Sequence, residues 1–329
     1  MIGRVQTAVE YASEEASPWG ALKLISGDAN PQLAERISHE IGVPLTDPKV
    51  RRFSDGEIDV KIADSMRGHD VFVIQPTCHP VNENLMELFI ILDALRRASA
   101  GRVTAVIPYY GYARKERKSQ PREPITAKLI ANIVTLAGAD RVLLLDLHTE
   151  AIEGFFDVPT DHLTALKIIA AYLETKKTRD LAVVAPDVGG VKRARQLATM
   201  LHASLVIIDK RRPVDEETEV LNVVGEVAGK DCVVVDDMIT TGNTVCAAAR
   251  ALKSAGAGSI YAAASHAVLT GNSLENLRGA PFEEVVLTDS IPVPEGKRGA
   301  PLTVLSVAPL LAEAIIRVHE NRSVSELFR

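Results

Sequence analysis

Short apolar runs rich in β-branched residues alternate along this chain with longer segments whose apolar residues recur at helical spacing. The runs have the length of buried strands and lie at residues 71–74, 103–107, 142–145, 181–184, 205–208, 233–235 and 285–287. The helical segments lie at residues 85–97, 125–136, 163–173, 191–201, 245–253 and 310–318. Wholly apolar strands that alternate with helices are typical of parallel sheets covered by helices on both faces. The sequence therefore predicts an α/β fold, with ligands bound beyond the carboxyl ends of the strands.

The alternation runs through twice, which predicts two similar domains, each built on a mostly parallel sheet flanked by helices. A chain of 329 residues is also longer than one hydrophobic core usually supports. We place a poorly ordered N-terminal extension at residues 1–20, an N-terminal domain at 21–160 and a C-terminal domain at 161–308. We expect the helix and tail at 309–329 to pack back on the N-terminal domain. Residues 51–63 differ from the rest, because two short extended runs flank a polar loop and indicate a hairpin.

The overall charge argues against several classes of protein. The chain carries 37 Lys and Arg against 43 Asp and Glu, a net charge of -6, whereas nucleic-acid and membrane-surface binders need a broad excess of basic residues. Its three cysteines lack metal-binding or redox spacing and suit a reducing compartment. No stretch reaches the roughly 18 apolar residues of a membrane span. We therefore expect a cytoplasmic protein that binds neither nucleic acid nor a membrane.

The most informative segment runs from residue 233 to residue 244, where an apolar strand leads into two carboxylates, a hydroxyl-rich turn and a helix start. Backbone amides at a helix start suit a phosphate group. We expect the phosphate to be held by Thr240, Thr241, Gly242, Asn243 and Thr244. Asp236 and Asp237 would then accept hydrogen bonds from sugar hydroxyls, directly or through Mg²⁺. The alternative is a capped helix start with two solvated acids.

Three other places carry candidate functional residues. Arg114 opens a basic loop after an apolar strand, where guanidinium and ammonium groups could bind a polyphosphate, although such a run is also typical of a solvated face. His148 follows the strand at 142–145, where a histidine with a purely structural role is common. The turn that begins at Asp187 contains two glycines and is either a plain tight turn or a place where amides close on a diphosphate.

The segment at 236–244 resembles the phosphoribosyl pyrophosphate (PRPP) loop shared by type I phosphoribosyltransferases and ribose-phosphate pyrophosphokinases. Other segments resemble the pyrophosphokinases alone, namely 52–57, 108–114, 122–128, 146–148, 154–157, 209–212 and 323–328. This resemblance implies a type I phosphoribosyltransferase-like fold for both domains. It also implies transfer of the β,γ-diphosphate of Mg·ATP to the C1 hydroxyl of ribose 5-phosphate, which gives PRPP and AMP.

The resemblance further implies a role for each matching residue. ATP would be bound by Arg114, Lys115 and His148, and Phe53, Asp55 and Glu57 of an adjacent subunit would enclose the adenine. His148 and Asp187 would approach the Mg²⁺ that holds the reacting phosphates. Lys210 and Arg212 look like the cations of a catalytic arm, and His148 joins them as a catalytic residue.

Assembly and regulation follow from the same resemblance. Members of the family form homohexamers built from dimers, and many are activated by inorganic phosphate and inhibited by ADP at a site between subunits. Four residues match positions near that allosteric site: Ser65, Arg67, Ser99 and Ser323.

Several positions depart from the commonest bacterial pattern of the family. Thr240 replaces an Asp, Asn243 replaces a Gly and Lys115 replaces a Gln, while Val214 and Glu216 stand where a basic residue and an Asn are frequent. Two alternatives remain open. One is a type I phosphoribosyltransferase that consumes PRPP, which should lack the hairpin and the Lys210, Arg212 pair. The other is a non-catalytic regulatory homologue that assembles with active subunits.

Overall fold

The computed structural model describes residues 18–211, 220–297, 299 and 301–327. The chain forms two compact units, the first from residues 1–163 and 307–329 and the second from residues 164–306. The first unit contains β1 (Leu22–Ser26), α1 (Pro31–Ile41), β2 (Leu45–Thr46), β3 (Val50–Arg52), β4 (Ile58–Val60), β5 (Asp70–Ile74), α2 (Val81–Arg97), β6 (Arg102–Ile107), α3 (Thr126–Ala137), β7 (Arg141–Leu145) and β8 (Thr160–Leu163). The second contains α4 (Leu166–Glu174), β9 (Ala182–Ala185), α5 (Val191–Met200), β10 (Ser204–Arg211), β11 (Val220–Val224), β12 (Cys232–Met238), α6 (Asn243–Ser254), β13 (Ile260–His266), α7 (Ser273–Arg278), β14 (Glu284–Thr288) and β15 (Leu302–Leu305). Helix α8 (Ala308–His319) returns to the first unit.

Each unit has a predominantly parallel sheet, as the alternation of strands and helices predicts. The first sheet has the strand order β2-β1-β5-β6-β7-β8 and is parallel throughout. The second has the order β11-β10-β9-β12-β13-β14-β15, and its edge strand β11 is antiparallel to β10. Every residue of β5 and β6 is buried, because apolar side chains of flanking helices cover both faces of the sheet. The predicted α/β architecture is therefore confirmed.

Local backbone geometry explains where the observed elements differ from the predicted ones. The helix predicted from residue 163 begins at Leu166, because Leu163 belongs to β8 and the Thr164 hydroxyl accepts a hydrogen bond from the Leu166 amide at 3.2 Å. Strand β13 was missing from the prediction, because its central residues are alanines and lack the β-branched signal. The hairpin predicted within residues 51–63 is confirmed as β3 paired with β4.

The end of helix α8 is attached to the first sheet by a buried charge cluster. Asp70, fully buried at the start of β5, accepts two hydrogen bonds from the Arg102 guanidinium at 2.8 and 2.6 Å. Arg102 also donates to the Val318 carbonyl at 3.0 Å, and His319 Nδ1 lies 2.8 Å from Asp70 Oδ2. The indole of Trp19 covers Arg102, with 5.1 Å between the guanidinium carbon and the ring centroid. The cluster therefore holds the last helix in place through charge as well as apolar contact.

None of the helices formed by residues 18–211, 220–297 and 301–327 is both long and apolar enough to span a membrane.

Replacing Arg102 with Met should lower the free energy of unfolding by about 3–5 kcal/mol, because the substitution leaves the Asp70 carboxylate buried without its main partner. The matched control is Arg97→Met, because Arg97 pairs with Asp93 on the exposed face of α2 and such a pair contributes only about 0.3–0.5 kcal/mol. Denaturant titration followed by circular dichroism measures both variants. Equal midpoints for the two would show that the buried cluster does not stabilise the first unit.

Candidate active site

Functional residues of the second unit follow two neighbouring parallel strands. Strands β9 and β12 are adjacent in the sheet, so the segments after them lie at the same carboxyl edge. Asp187 comes shortly after β9, and its side chain accepts a hydrogen bond from the Gly190 amide at 3.0 Å, which closes a short helical turn before α5. Asp236 and Asp237 lie in the last part of β12. The structure therefore brings these three predicted acids to one edge of the second sheet.

The two acids at the end of β12, Asp236 and Asp237, interact with each other. Asp237 is buried, its amide donates to Asp236 Oδ1 at 2.8 Å, and the Arg193 guanidinium lies 3.5 Å from Asp237 Oδ1. Burial, reinforced by the hydrogen bond with Asp237 and by its negative charge, raises the pKa of Asp236 to about 8. Ligand hydroxyls or a cation would stabilise the ionised form, so the pair is suited to bind one of them.

The turn after β12 leaves the start of α6 available to an anion. Gly242 adopts a left-handed conformation, with φ of 79°, and as the N-cap residue it offers no side chain to the helix start, where the Asn243 amide lies 3.5 Å from the Thr241 hydroxyl. Amides at a helix start attract phosphate through hydrogen bonds and the helix dipole. Residues 240–244 thus form a turn that leads directly into the start of α6.

A second segment holds this turn in place, and its key residue was missed from sequence. The amide of Thr270 donates to the Thr240 carbonyl at 3.0 Å. Asn276 in α7 donates from its side-chain amide to the Thr241 carbonyl at 2.9 Å and to Asn243 Oδ1 at 3.1 Å. Asn243 is one of the positions that depart from the family pattern, and the structure gives its side chain a partner. Nothing local in the sequence marks Asn276, because it lies more than thirty residues from the turn.

In the first unit, Arg114 and Lys115 line a cavity of about 750 Å³. Both side chains are exposed and follow β6, and the other wall comes from residues 79–83, which lead into and begin α2. The Tyr112 hydroxyl donates to Asn82 Oδ1 at 2.6 Å across this cavity wall. Gly111 lies against Thr77, where a Cβ atom would be 2.6 Å from the Thr77 carbonyl oxygen. The loop that carries the two basic residues is therefore firmly attached to its neighbour.

His148 lies in the loop after β7, at the same carboxyl edge as the Arg114 loop, because β6 and β7 are parallel neighbours. The strand ends at Leu145, as the apolar run predicts, and Asp146 then takes a left-handed φ of 39°. The Leu147 amide then donates to His162 Nε2 at 2.9 Å, which fixes the loop. His148 itself is exposed.

The hairpin of β3 and β4 presents its tip to solvent. The Phe53 amide donates to the Glu57 carbonyl at 2.9 Å, and the Glu57 amide donates to Asp55 Oδ1 at 3.1 Å. Gly56 occupies the left-handed position of the turn, with φ of 96°. Phe53 is 56% exposed. Phe53, Asp55 and Glu57 are thus available together on one projection.

The residues predicted for the catalytic arm are only partly described. We expected Lys210 to follow a strand ending near residue 208, but β10 continues to Arg211 and Lys210 pairs with Leu221 of β11. The prediction stopped early because charged side chains interrupt the apolar pattern, whereas the antiparallel partner extends the strand. Arg212, Val214 and Glu216 lie outside the described residues.

The residues matched to the allosteric site belong to the first unit. Arg67 forms an isolated antiparallel bridge with Ala100, and the Gly68 amide donates to the Ser99 carbonyl at 2.9 Å, so these two segments are adjacent. Ser65 is exposed close by in sequence. Ser323 follows α8, where its carbonyl accepts a hydrogen bond from Arg317 at 2.9 Å.

Comparison with known proteins gives a consistent result over the whole chain. Residues 22–138 match the model of the N-terminal domain of ribose phosphate pyrophosphokinase, and residues 212–329 match the phosphoribosyl synthetase-associated domain. A ribose-phosphate pyrophosphokinase of Caldanaerobacter subterraneus is 53% identical over 94% of this chain and 98% of its own length. One from Synechocystis is 52% identical over 100% and 99% of the two chains. The crystal structure of phosphoribosylpyrophosphate synthetase from Mycobacterium smegmatis superposes with a TM-score of 0.87 at 42% identity, covering 91% of this chain and 99% of that one.

Replacing Asp236 with Asn should stabilise the ligand-free protein most at alkaline pH. In the unfolded chain the carboxyl ionises near pH 4, whereas in the folded protein its pKa is raised to about 8. Unfolding therefore releases a proton between these pH values, and the stability of the wild type falls as pH rises through this range. We expect the advantage of the variant to grow from pH 5 to pH 8 and to reach at least ~1 kcal/mol, the equivalent of one pKa unit.

Thermal melting in magnesium-free buffer measures this difference. The control is Asp180→Asn, because Asp180 is an exposed acid of the same unit. A pH-independent difference between Asp236→Asn and the wild type would show that Asp236 is ionised throughout.

Proposed function

The chain belongs to the ribose-phosphate pyrophosphokinase family, and we propose that it catalyses diphosphate transfer from ATP to ribose 5-phosphate through the residues described above. The C1 hydroxyl oxygen attacks the β-phosphorus of ATP, the bond to the oxygen that bridges the α- and β-phosphorus atoms breaks, and AMP leaves. The hydroxyl proton is released, so the products are PRPP and AMP. Such a transfer needs mainly positioning and charge stabilisation, because the phosphate groups supply the reacting bonds.

The second unit is the ribose 5-phosphate side in this proposal. Residues 240–244 bind the 5-phosphate through the amides at the start of α6 and the threonine hydroxyls. Asp236 and Asp237 accept hydrogen bonds from the ribose 2- and 3-hydroxyls, which suits two carboxylates at the end of a strand directly before the phosphate turn. Ligand hydroxyls stabilise the ionised form of Asp236, so substrate binding offsets the cost of its buried charge.

The first unit is the ATP side. Arg114 and Lys115 provide positive charge at the rim of the 750 Å³ cavity, where their side chains bind the nucleotide phosphates. Lys115, in place of a glutamine, adds a second positive charge beside Arg114. The exposed Phe53 covers the adenine of ATP that is bound to an adjacent subunit. Asp55 and Glu57 accept hydrogen bonds from the exocyclic amine of that adenine.

Lys210 and Arg212 stabilise the transition state. Charge spreads over the transferred phosphoryl group as the bond to AMP lengthens, and cations that contact it only then raise the turnover rate selectively. His148 is exposed at the carboxyl edge of the first sheet, and it acts as a catalytic residue beside the bound nucleotide. In this proposal the hairpin of β10 and β11 carries the catalytic cations.

The described residues suit a magnesium ion that arrives with its nucleotide. No group of three or more His, Cys, Asp and Glu side chains among residues 18–211, 220–297 and 301–327 forms a ready-made metal cage. Mg²⁺ is usually held by one or two protein ligands together with substrate phosphates and water, and Asp187 and His148 are the candidate ligands here. When bound, Mg²⁺ neutralises charge on the reacting phosphates.

The observation that carries this proposal is 52–53% sequence identity to ribose-phosphate pyrophosphokinases over nearly the full length of the chain, together with the acid pair and the turn before α6 in the second unit. Incubation with ATP, ribose 5-phosphate and Mg²⁺ should release AMP. A phosphoribosyltransferase would instead consume PRPP in the presence of a base. A regulatory homologue would release no AMP alone but would change the activity of a coexpressed active subunit.

Assembly and regulation belong to the same proposal. We expect a homohexamer built from dimers, with inorganic phosphate as activator and ADP as inhibitor at a site that includes Ser65, Arg67, Ser99 and Ser323. The adjacency of the Arg67 and Ser99 segments supports a common binding place for them. The AMP-release assay with and without phosphate tests the activation.

Lys210→Ala and Arg212→Ala should each lower kcat by roughly 100-fold or more while KM for both substrates changes little, because the cations act mainly in the transition state. The control is Arg250→Ala, since Arg250 is an exposed cation on α6. Steady-state kinetics of AMP release measures both constants. An unchanged kcat in either variant would remove that residue from the catalytic arm.

Asn276→Ala should raise KM for ribose 5-phosphate by about tenfold, the effect expected from losing hydrogen bonds that hold the phosphate turn. KM for ATP should stay within about twofold, since ATP is assigned to the first unit. Asn272→Ala is the matched control, because Asn272 begins α7 without a side-chain capping bond. Parallel increases in both KM values would indicate general destabilisation instead of a local effect on the turn.

A further inference from the structure

A buried carboxylate outside the proposed catalytic residues organises one corner of the first unit. Glu87 of α2 has a side chain that is fully inaccessible to solvent. It accepts hydrogen bonds from the Asp28 amide at 2.6 Å, from the Gln75 side-chain amide at 3.1 Å and from the Arg52 guanidinium at 2.6 Å. Arg52 also donates to Asp28 Oδ2 at 2.7 Å. Four segments of the first unit therefore converge on one carboxylate.

The surrounding structure is fitted to this carboxylate. Burial raises the pKa of Glu87, and the Asp28 amide and the Arg52 guanidinium oppose that shift. Gly27 passes so close that a Cβ atom there would lie 2.3 Å from Gln75 Oε1 and 2.8 Å from Glu87 Oε1. A buried acid is costly unless it is fully paired, so this cluster constrains the position of Arg52.

Arg52 is the last residue of β3 and directly precedes Phe53 at the hairpin tip. Its neighbour Arg51 forms a contrasting pair, because it bonds Asp59 across the hairpin at 2.9 Å and its side chain is 74% exposed. The Arg51 pair lies within the hairpin, whereas Arg52 connects the hairpin to α2 and to the loop after β1. Arg52 is therefore placed to set the direction in which the tip projects.

We propose that Arg52 and Glu87 are positioning residues that fix the hairpin so that Phe53 reaches the adenine of an adjacent subunit. This inference rests on the proposed function, and it assigns a role to two residues that touch neither substrate. The pair acts in trans, because the nucleotide that Phe53 covers belongs to another subunit. Its loss weakens ATP binding in a neighbour and leaves the catalytic arm of its own subunit intact.

Kinetics of Arg52→Lys and Glu87→Gln test the positioning role. Both variants keep a polar group of similar size, but Lys lacks the planar guanidinium whose two terminal nitrogens bridge Glu87 and Asp28, and Gln has no charge. We expect KM for ATP to rise by about tenfold, the scale of one lost charge-assisted hydrogen bond. The values of kcat and of KM for ribose 5-phosphate should stay within about twofold. Arg51→Ala is the matched control and should retain the wild-type KM for ATP.

Two outcomes of these measurements would overturn the inference. One is an unchanged KM for ATP in Arg52→Lys, and the other is an equal rise in Arg51→Ala. If Glu87→Gln proves too unstable to purify, Arg52→Lys still decides, because Arg52 is partly exposed. Absence of AMP release by the wild type would contradict the proposed function itself, so the two failures are distinguishable.

Coexpression of Arg52→Ala with Lys210→Ala tests the action in trans. Mixed assemblies contain some sites in which the Lys210→Ala subunit supplies an intact hairpin to a subunit with an intact Lys210. We expect activity at low ATP concentration to exceed the sum of the two variants assayed separately. Activity equal to that sum would show that the pair acts within its own subunit and would overturn the proposal.

Discussion

The structure depends on the burial of parallel strands from both sides. A strand covered on both faces is lined mainly by apolar side chains, so polar groups that could bind a ligand collect at its carboxyl end and in the segment that follows it. In the first unit these segments follow β6 and β7 and carry Arg114 and His148. In the second unit Asp187 follows β9, and the acid pair occupies the last part of β12. The same constraint therefore gives each unit one sheet edge that carries candidate functional residues.

The carboxylates buried inside the units have different roles, and the residues that contact each carboxylate indicate its role. Asp70 is matched by Arg102 and by His319, so this cluster joins a distant part of the sequence to the sheet. Glu87 is matched by amides and by one arginine of the hairpin, so it orients a projection. Asp236 lies beside the carboxyl of Asp237, and burial together with that neighbour raises the pKa of Asp236 more than Arg193 lowers it. Structural charges come with their partners, whereas Asp236 is suited to a ligand.

Much of this organisation could be predicted from the sequence. The β-branched strands, the helices between them and the hairpin follow from local patterns, and the turn at 240–244 follows from its own composition. Alanine-rich β13 and the extension of β10 could not be predicted, because the partner strand determines both. Asn276 and Glu87 were missed for a related reason, since their importance lies in contacts with residues far away in sequence. Composition also fails to distinguish a buried glutamate from one on a helix surface.

The return of α8 to the first unit has a consequence for biosynthesis. Nascent chains tend to fold from the amino terminus as they leave the ribosome, but the first unit includes residues 307–329. Until those residues emerge, Asp70 lacks its histidine and Arg102 lacks the Val318 carbonyl. The second unit, by contrast, is continuous in sequence and can complete its core earlier. The first unit therefore reaches its complete structure only after the whole of the second unit has been synthesised.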